Sequence, residues 1–149
     1  MFIKTVTPAG QVRHHNWTKH YMDIRAAAGI QYPGYMIHES AQWSPIHRKW
    51  FFLPRRASHS MYTEKTDERC AANILIVVDE NFTKFETKSI GTFSETRGFS
   101  AFQFVPETGD RIIFALKSEE DGGEIASYFL IFDWLDEFKY LIKLEYSIN

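Results

Sequence analysis

At 149 residues the chain can bury one core but is short for a closed all-β propeller or a large barrel. Its 13 Phe, 7 Tyr and 4 Trp favour a β-rich interior. A formal net charge of −2, with both signs mixed along the chain, argues against a nucleic-acid-binding surface.

From the N-terminus, Phe2 to Val6 reads as an edge strand, Pro8-Ala9-Gly10 as a turn and Gln11 to Arg13 as the return. Asn16 is a good N-cap for the one convincing helix, in which Trp17, Tyr21, Ile24 and Ala28 share a face. Gly29 stands where a left-handed C-terminal residue belongs, and Pro33 bars continuation. Two short apolar runs follow: Tyr35 to Ile37, leading to Glu39, and Trp50 to Leu53, leading through Pro54 to Arg55 and Arg56. Read as strand ends, they present one acid and two bases, which suits a hard cation beside an anionic substrate.

Ala57 to Arg69 reads as a solvated loop, and Ala72 to Val78 as a buried strand. Asp79-Glu80-Asn81 makes a hairpin turn to a return over Phe82 to Ile90. A meander then takes Phe99 to Phe104, Arg111 to Leu116 and Glu124 to Phe132 as strands, with a type I′-like turn at Asp121-Gly122-Gly123. Such strands resemble one propeller blade or one sheet of a sandwich. From Trp134 on, Leu135, Phe138, Leu141 and Ile142 have helix-like spacing.

No run approaches the roughly 18 apolar residues of a membrane span. Met1-Phe2-Ile3-Lys4 opens no secretory h-region, so the chain taken literally is soluble and cytosolic. Cys70, the one cysteine, excludes an internal disulfide; a reducing compartment and a cysteine-poor secreted chain both remain open.

Among chemistry-bearing residues, Glu39 suits a metal ligand or general base, against a solvated or salt-bridged carboxylate. Arg55 and Arg56 suit a bidentate phosphate clamp, against structural pairs with Glu64, Asp67 or Glu68. Ser100 suits a cation ligand, against a sheet hydroxyl bonded to backbone. In Lys117-Ser118-Glu119-Glu120 the adjacent carboxylates point to opposite faces of a strand, so at most one enters a given site, and a charged approach to a turn is the favoured reading. The six histidines form no zinc motif, and no Gly-rich phosphate loop, nucleophile elbow or Cys-His signature occurs.

Longer words are more specific: His14-x-Asn16-Trp17, Tyr21-x-x-x-Arg25-Ala-Ala-Ala-Gly29-Ile30, Pro33-Gly-Tyr35, His38-Glu39-Ser40 and the run Trp50 to Ser58. To these add Asp67-Glu68-Arg69, Ala72-Asn73, Gly98-Phe99-Ser100, Phe104-Val-Pro106 and Ala115 to Glu120. In this order, without gaps over residues 11–132, they closely resemble the calcium-activated nucleotidase family of apyrases. The resemblance implies an all-β fold, a partial five-bladed β-propeller of two to three blades with one short helix. Residues 1–132 would be the C-terminal portion of that propeller and residues 133–149 a divergent tail, the family's N-terminal half and its final Tyr-Glu-Gly word being absent.

It further implies Ca²⁺ as cofactor, with Glu39 and Ser100 matching two of its ligands, and Arg55 or Arg56 meeting substrate phosphate. The implied reaction hydrolyses nucleoside di- or triphosphates (UDP, GDP, ADP or ATP) to release phosphate. The implied setting is secreted or Golgi/ER lumenal, with no nucleic acid as partner and a homodimer left open. The alternative is a non-catalytic fragment or nucleotide-binding decoy of the same family.

Overall fold

The structure, a computed structural model, describes residues 1–136 and 140–147. It opens with a separate antiparallel hairpin of β1 (Phe2–Val6) and β2 (Val12–Asn16). Helix α1 (Thr18–Ala27) follows. Trp17 stands at its cap position, but the Asn16 side-chain oxygen accepts the Thr18 N–H at 3.1 Å, so Asn16 still satisfies a first-turn donor. Gly29, at φ +78°, turns the chain off the helix.

Two four-stranded antiparallel meanders make up the rest. The first runs β3 (Tyr35–Ser44), β4 (Lys49–Ser58), β5 (Ile74–Asp79) and β6 (Phe85–Ser89), with the short helix α2 (Glu64–Asp67) between β4 and β5. The second runs β7 (Arg97–Phe104), β8 (Ile112–Asp121), β9 (Glu124–Asp133) and β10 (Tyr140–Ser147). Gly122 and Gly123 both have positive φ between β8 and β9, as a type I′ turn requires.

The apolar runs of β4 and β5 are continuous because both faces of the first sheet are covered. Phe51, Leu53, Leu75 and Val77 pack against Phe99, Phe102, Phe104, Ile113 and Phe132 of the second sheet. The alternate residues Phe52, Ile76 and Val78 meet Ile24 of α1, flanked by Trp17, Tyr21 and Trp50. The helical face expected from spacing is therefore the one buried. Gln42 of β3 ties the first strands of the two sheets together, donating to the Phe102 carbonyl at 2.6 Å and to Gln103 Oε1 at 2.8 Å.

Several expectations change. Residues 140–147 form a strand paired with β9 rather than a helix, because β9 leaves an open edge that this segment fills; Phe138 lies outside the described residues. The Ala57 to Arg69 loop contains α2, whose first turn is capped by Thr63. Glu39, Arg55 and Arg56 lie inside ten-residue strands, not at strand ends. Lys117 to Glu120 are also inside a strand, since β8 runs on to Asp121.

Candidate functional site

Three of the four singled-out residues occupy one kind of position. Along β3 and β4, Ile37 pairs with Arg56, His38 with Pro54 and Ser40 with Leu53. Glu39 on one strand and Arg55 on the other are thus each left out of the pairing. Along β7 and β8, Phe99 pairs with Lys117 and Ala101 with Leu116, which leaves out Ser100. A residue left out of a ladder by a bulge is re-aimed, and bulges gather beside functional sites.

The bulge on β4 brings Arg55 against Glu39: Nη1 donates to both carboxylate oxygens, at 3.0 and 3.2 Å. Nη2 donates to Glu120 of β8 at 3.2 Å. The guanidinium side chain is only 14% exposed, whereas Glu39 is 38% and Glu120 60% exposed. Burial acts to lower the Arg55 pKa, but the hydrogen bonds and charges of Glu39 and Glu120 win and raise it. Arg55 is therefore a permanent cation shared between two acids. Gly98 of β7 allows this approach, since a Cβ there would lie 2.4 Å from the Arg55 carbonyl oxygen.

Arg56 goes elsewhere. It is 4% exposed, lies 3.8 Å from Asp67 and donates to the Thr96 carbonyl at 3.4 Å. Asp67 also accepts the Tyr35 hydroxyl at 2.6 Å; burial and then that bond push the Tyr35 pKa upward. The contact with Asp67 is one of the structural pairs set against the phosphate clamp in the sequence. The Ser100 hydroxyl faces the Leu116 carbonyl at 3.5 Å, the limit of a hydrogen bond, so its oxygen lone pairs are uncommitted. His38 packs between the rings of Tyr21 and Phe52, and burial lowers its pKa to about 4, so it brings no charge at neutral pH.

Glu120, read from the sequence as part of a charged approach to a turn, instead joins the site. The two adjacent carboxylates do point to opposite faces: Glu119 turns to Thr96, Arg97 and Tyr128, while Glu120 reaches Arg55. What the chain order concealed was that β8 lies close enough to β4 for the second acid to complete the pair.

Around Arg55 opens a cleft of about 400 Å³ whose lining includes Glu39, Glu64, Asp67, Glu68 and Glu120 against Arg55 and Arg56. Five carboxylates against two guanidinium groups favour a cation and repel a bare polyanion. Ser100 is not part of that lining. Among the described residues no group of three or more His, Cys, Asp or Glu side chains is arranged to hold a metal ion. The oxygen of Glu39 and that of Ser100 have the hardness calcium needs, but two donors fill only part of a shell of about 6–8.

Comparison with known proteins then adds identity. The family model described as Apyrase matches residues 1–144. The apyrase apy-1 of Caenorhabditis elegans is 53% identical over 135 residues, covering 89% of this chain and 38% of the relative. Soluble calcium-activated nucleotidase 1 of Mus musculus is 52% identical over 131 residues, covering 88% and 32%. An apyrase of Cimex lectularius is 42% identical over 134 residues, covering 89% and 37%. The chain thus spans between 32% and 38% of the length of these relatives. Among the described residues no helix is long and apolar enough to cross a membrane. With a family match running over nearly its whole length, the chain belongs to the apyrase family.

Proposed function

We propose that this chain is part of a calcium-dependent nucleotidase that splits a phosphoanhydride of nucleoside di- and triphosphates and releases phosphate. The observation that carries the reading is the acid-rich cleft around Arg55, in a member of the apyrase family. A cleft of this charge accepts a polyphosphate only when a divalent cation accompanies it. That the Mus musculus relative is named a calcium-activated nucleotidase supports calcium as the ion.

In this reading Glu39 and Ser100 each lend the cation an oxygen, and water and substrate phosphate oxygens fill further places in its shell. Bound calcium supplies charge neutralisation and orients the attacking water. Arg55 fixes Glu39 through Nη1. Glu120, the more exposed partner, yields its place on Nη2 to a phosphate oxygen, so the guanidinium trades one anion for another. Arg56, buried with Asp67, braces the cleft. The two meanders act as consecutive blades of a propeller ring whose inner strands are β3 and β7. The Gln42 bonds to β7 support that arrangement. The substrates are UDP, GDP, ADP or ATP, met in a secretory or lumenal compartment.

A second reading, nucleotide binding without turnover, is favoured by Arg55, whose guanidinium is already held by Glu39 and Glu120. Phosphate release from UDP, GDP and ADP, with calcium and with EDTA, separates the two. Calcium-stimulated release supports the nucleotidase. Nucleotide binding by calorimetry without product supports the decoy. Neither binding nor a calcium-dependent rise in Tm overturns both.

A further inference from the structure

On the second sheet, Ile113, Ala115, Lys117 and Glu119 continue one face of β8, and the first two are core. Lys117 is thus a cation placed where the pattern calls for an apolar side chain, and it is only 8% exposed. Its ammonium lies 4.4 Å from the centre of the Phe99 ring. Among the described residues it has no carboxylate partner and no hydrogen-bond acceptor. Its neighbour Arg97 differs, lying 3.1 Å from Glu119 and 4.1 Å from the Tyr128 ring centre. Glu119 thus pairs with Arg97 and not with Lys117.

That charge borders a recess of about 350 Å³, where the core between the sheets opens under the chain from Ile90 to Ser94. Its lining is mostly apolar and, among the described residues, contains no carboxylate. Among the described residues it shares none with the cleft around Arg55. The size suits a small molecule and not a peptide or a nucleic acid. A buried ammonium without a counter-ion is costly, and a ligand that brings one recovers that cost. Burial, with the nearby Arg97 charge, already lowers the Lys117 pKa to about 8.

We propose that this recess binds a small amphipathic anion, its acid group on Lys117 Nζ and its apolar body against Ile90, Phe93 and Leu130. The site is independent of the nucleotidase reading, because neither Glu39 nor Arg55 takes part. One sulfonate, phosphate or carboxylate oxygen on Nζ balances the charge, while the aromatic or aliphatic part displaces water from the apolar walls.

The test is calorimetric titration of the chain with naphthalene-2-sulfonate, with neutral 2-naphthol and with inorganic phosphate. The sulfonate should bind saturably at one site, about tenfold or more tighter than either of the others, the scale of one hydrogen bond to a charged group. Lys117→Met should abolish that preference, while Lys84→Met leaves it intact. In the unsubstituted chain, ¹³Cε-detected titration of Lys117 should move to higher pH when the sulfonate is bound. Equal binding of sulfonate and naphthol, unaltered binding in K117M, or a Lys117 midpoint that the ligand leaves in place would each overturn the proposal. Phosphate binding as tightly as the sulfonate would overturn the role of the apolar walls.

Discussion

Arg55 meets Glu39 through both carboxylate oxygens, at 3.0 and 3.2 Å, and the two residues are the ones that β3 and β4 leave out of their pairing. The ion pair is thus held by backbone irregularity on both strands, not by two flexible side chains meeting over a regular ladder. Because the partners of Arg55 are well exposed, its worth to folding is small, about 1 kcal/mol. Arg55→Met should lower stability by about that amount in urea unfolding. A double-mutant cycle with Glu39→Gln should return a coupling of the same size. A coupling near zero would mean that the contact does not persist in solution. Arg55→Lys, which keeps charge but loses the fork, should not restore nucleotide hydrolysis.

Glu39→Gln keeps the shape of the side chain and removes its charge. Millimolar calcium should raise the Tm of the unsubstituted chain and leave that of E39Q unchanged, since only binding to the folded state stabilises. Calcium-stimulated phosphate release should fall about tenfold or more. An equal calcium shift in both proteins would remove Glu39 from the cation site.

Gly98→Ala puts a methyl group 2.4 Å from the Arg55 carbonyl oxygen, a backbone atom that cannot turn aside. The expected cost is about 1–3 kcal/mol of stability, with β7 pushed away from β4. Thermal unfolding measures the first effect. Loss of the Glu39–Arg55 coupling in the G98A background measures the second.

Lys117 gives a pH signature of its own. Its folded pKa, about 8, lies below the ordinary lysine value of 10.5 because of burial and then the Arg97 charge. Between those values the unfolded chain binds more protons, so stability rises with pH across that window, and the full penalty is present below it. At about 1.4 kcal/mol per pH unit, Lys117→Met should be roughly 3 kcal/mol more stabilising at pH 7 than at pH 11. Chemical unfolding of both proteins across that range tests the sign. A stability difference that stays flat with pH would show Lys117 to be solvated.

The amphipathic face of α1, the glycine turn before β9 and the continuous apolar runs of β4 and β5 were legible because each rests on local pattern. Periodicity, left-handed conformers and two-sided burial are all written in neighbouring residues. The strand at 140–147 was not, because its state is decided by the free edge of β9 and not by its own spacing. Glu39, Arg55 and Ser100 could be singled out by residue type, but not their common placement. One clue was present: Phe99, Phe102 and Phe104 share the core although 99 and 102 are three apart. A strict two-residue period cannot put them on one face unless an extra residue intervenes. Glu120 could be noticed as one of two adjacent acids, but its role depends on Arg55, 65 residues away in sequence.

The bulges also decide which deletions the fold can absorb. Remove Ser100, and the pairs of Phe99 with Lys117 and Ala101 with Leu116 become consecutive, with Phe102 and Phe104 still facing inward. Remove Glu39 and Arg55 together, and the offsets cancel, so β3 and β4 keep one register from Ile37 to Ser44. Excision closes each ladder where substitution would leave its kink in place. These residues are supernumerary to the sheets that carry them, and a chain shortened at these points would keep the scaffold while discarding the groups it displays.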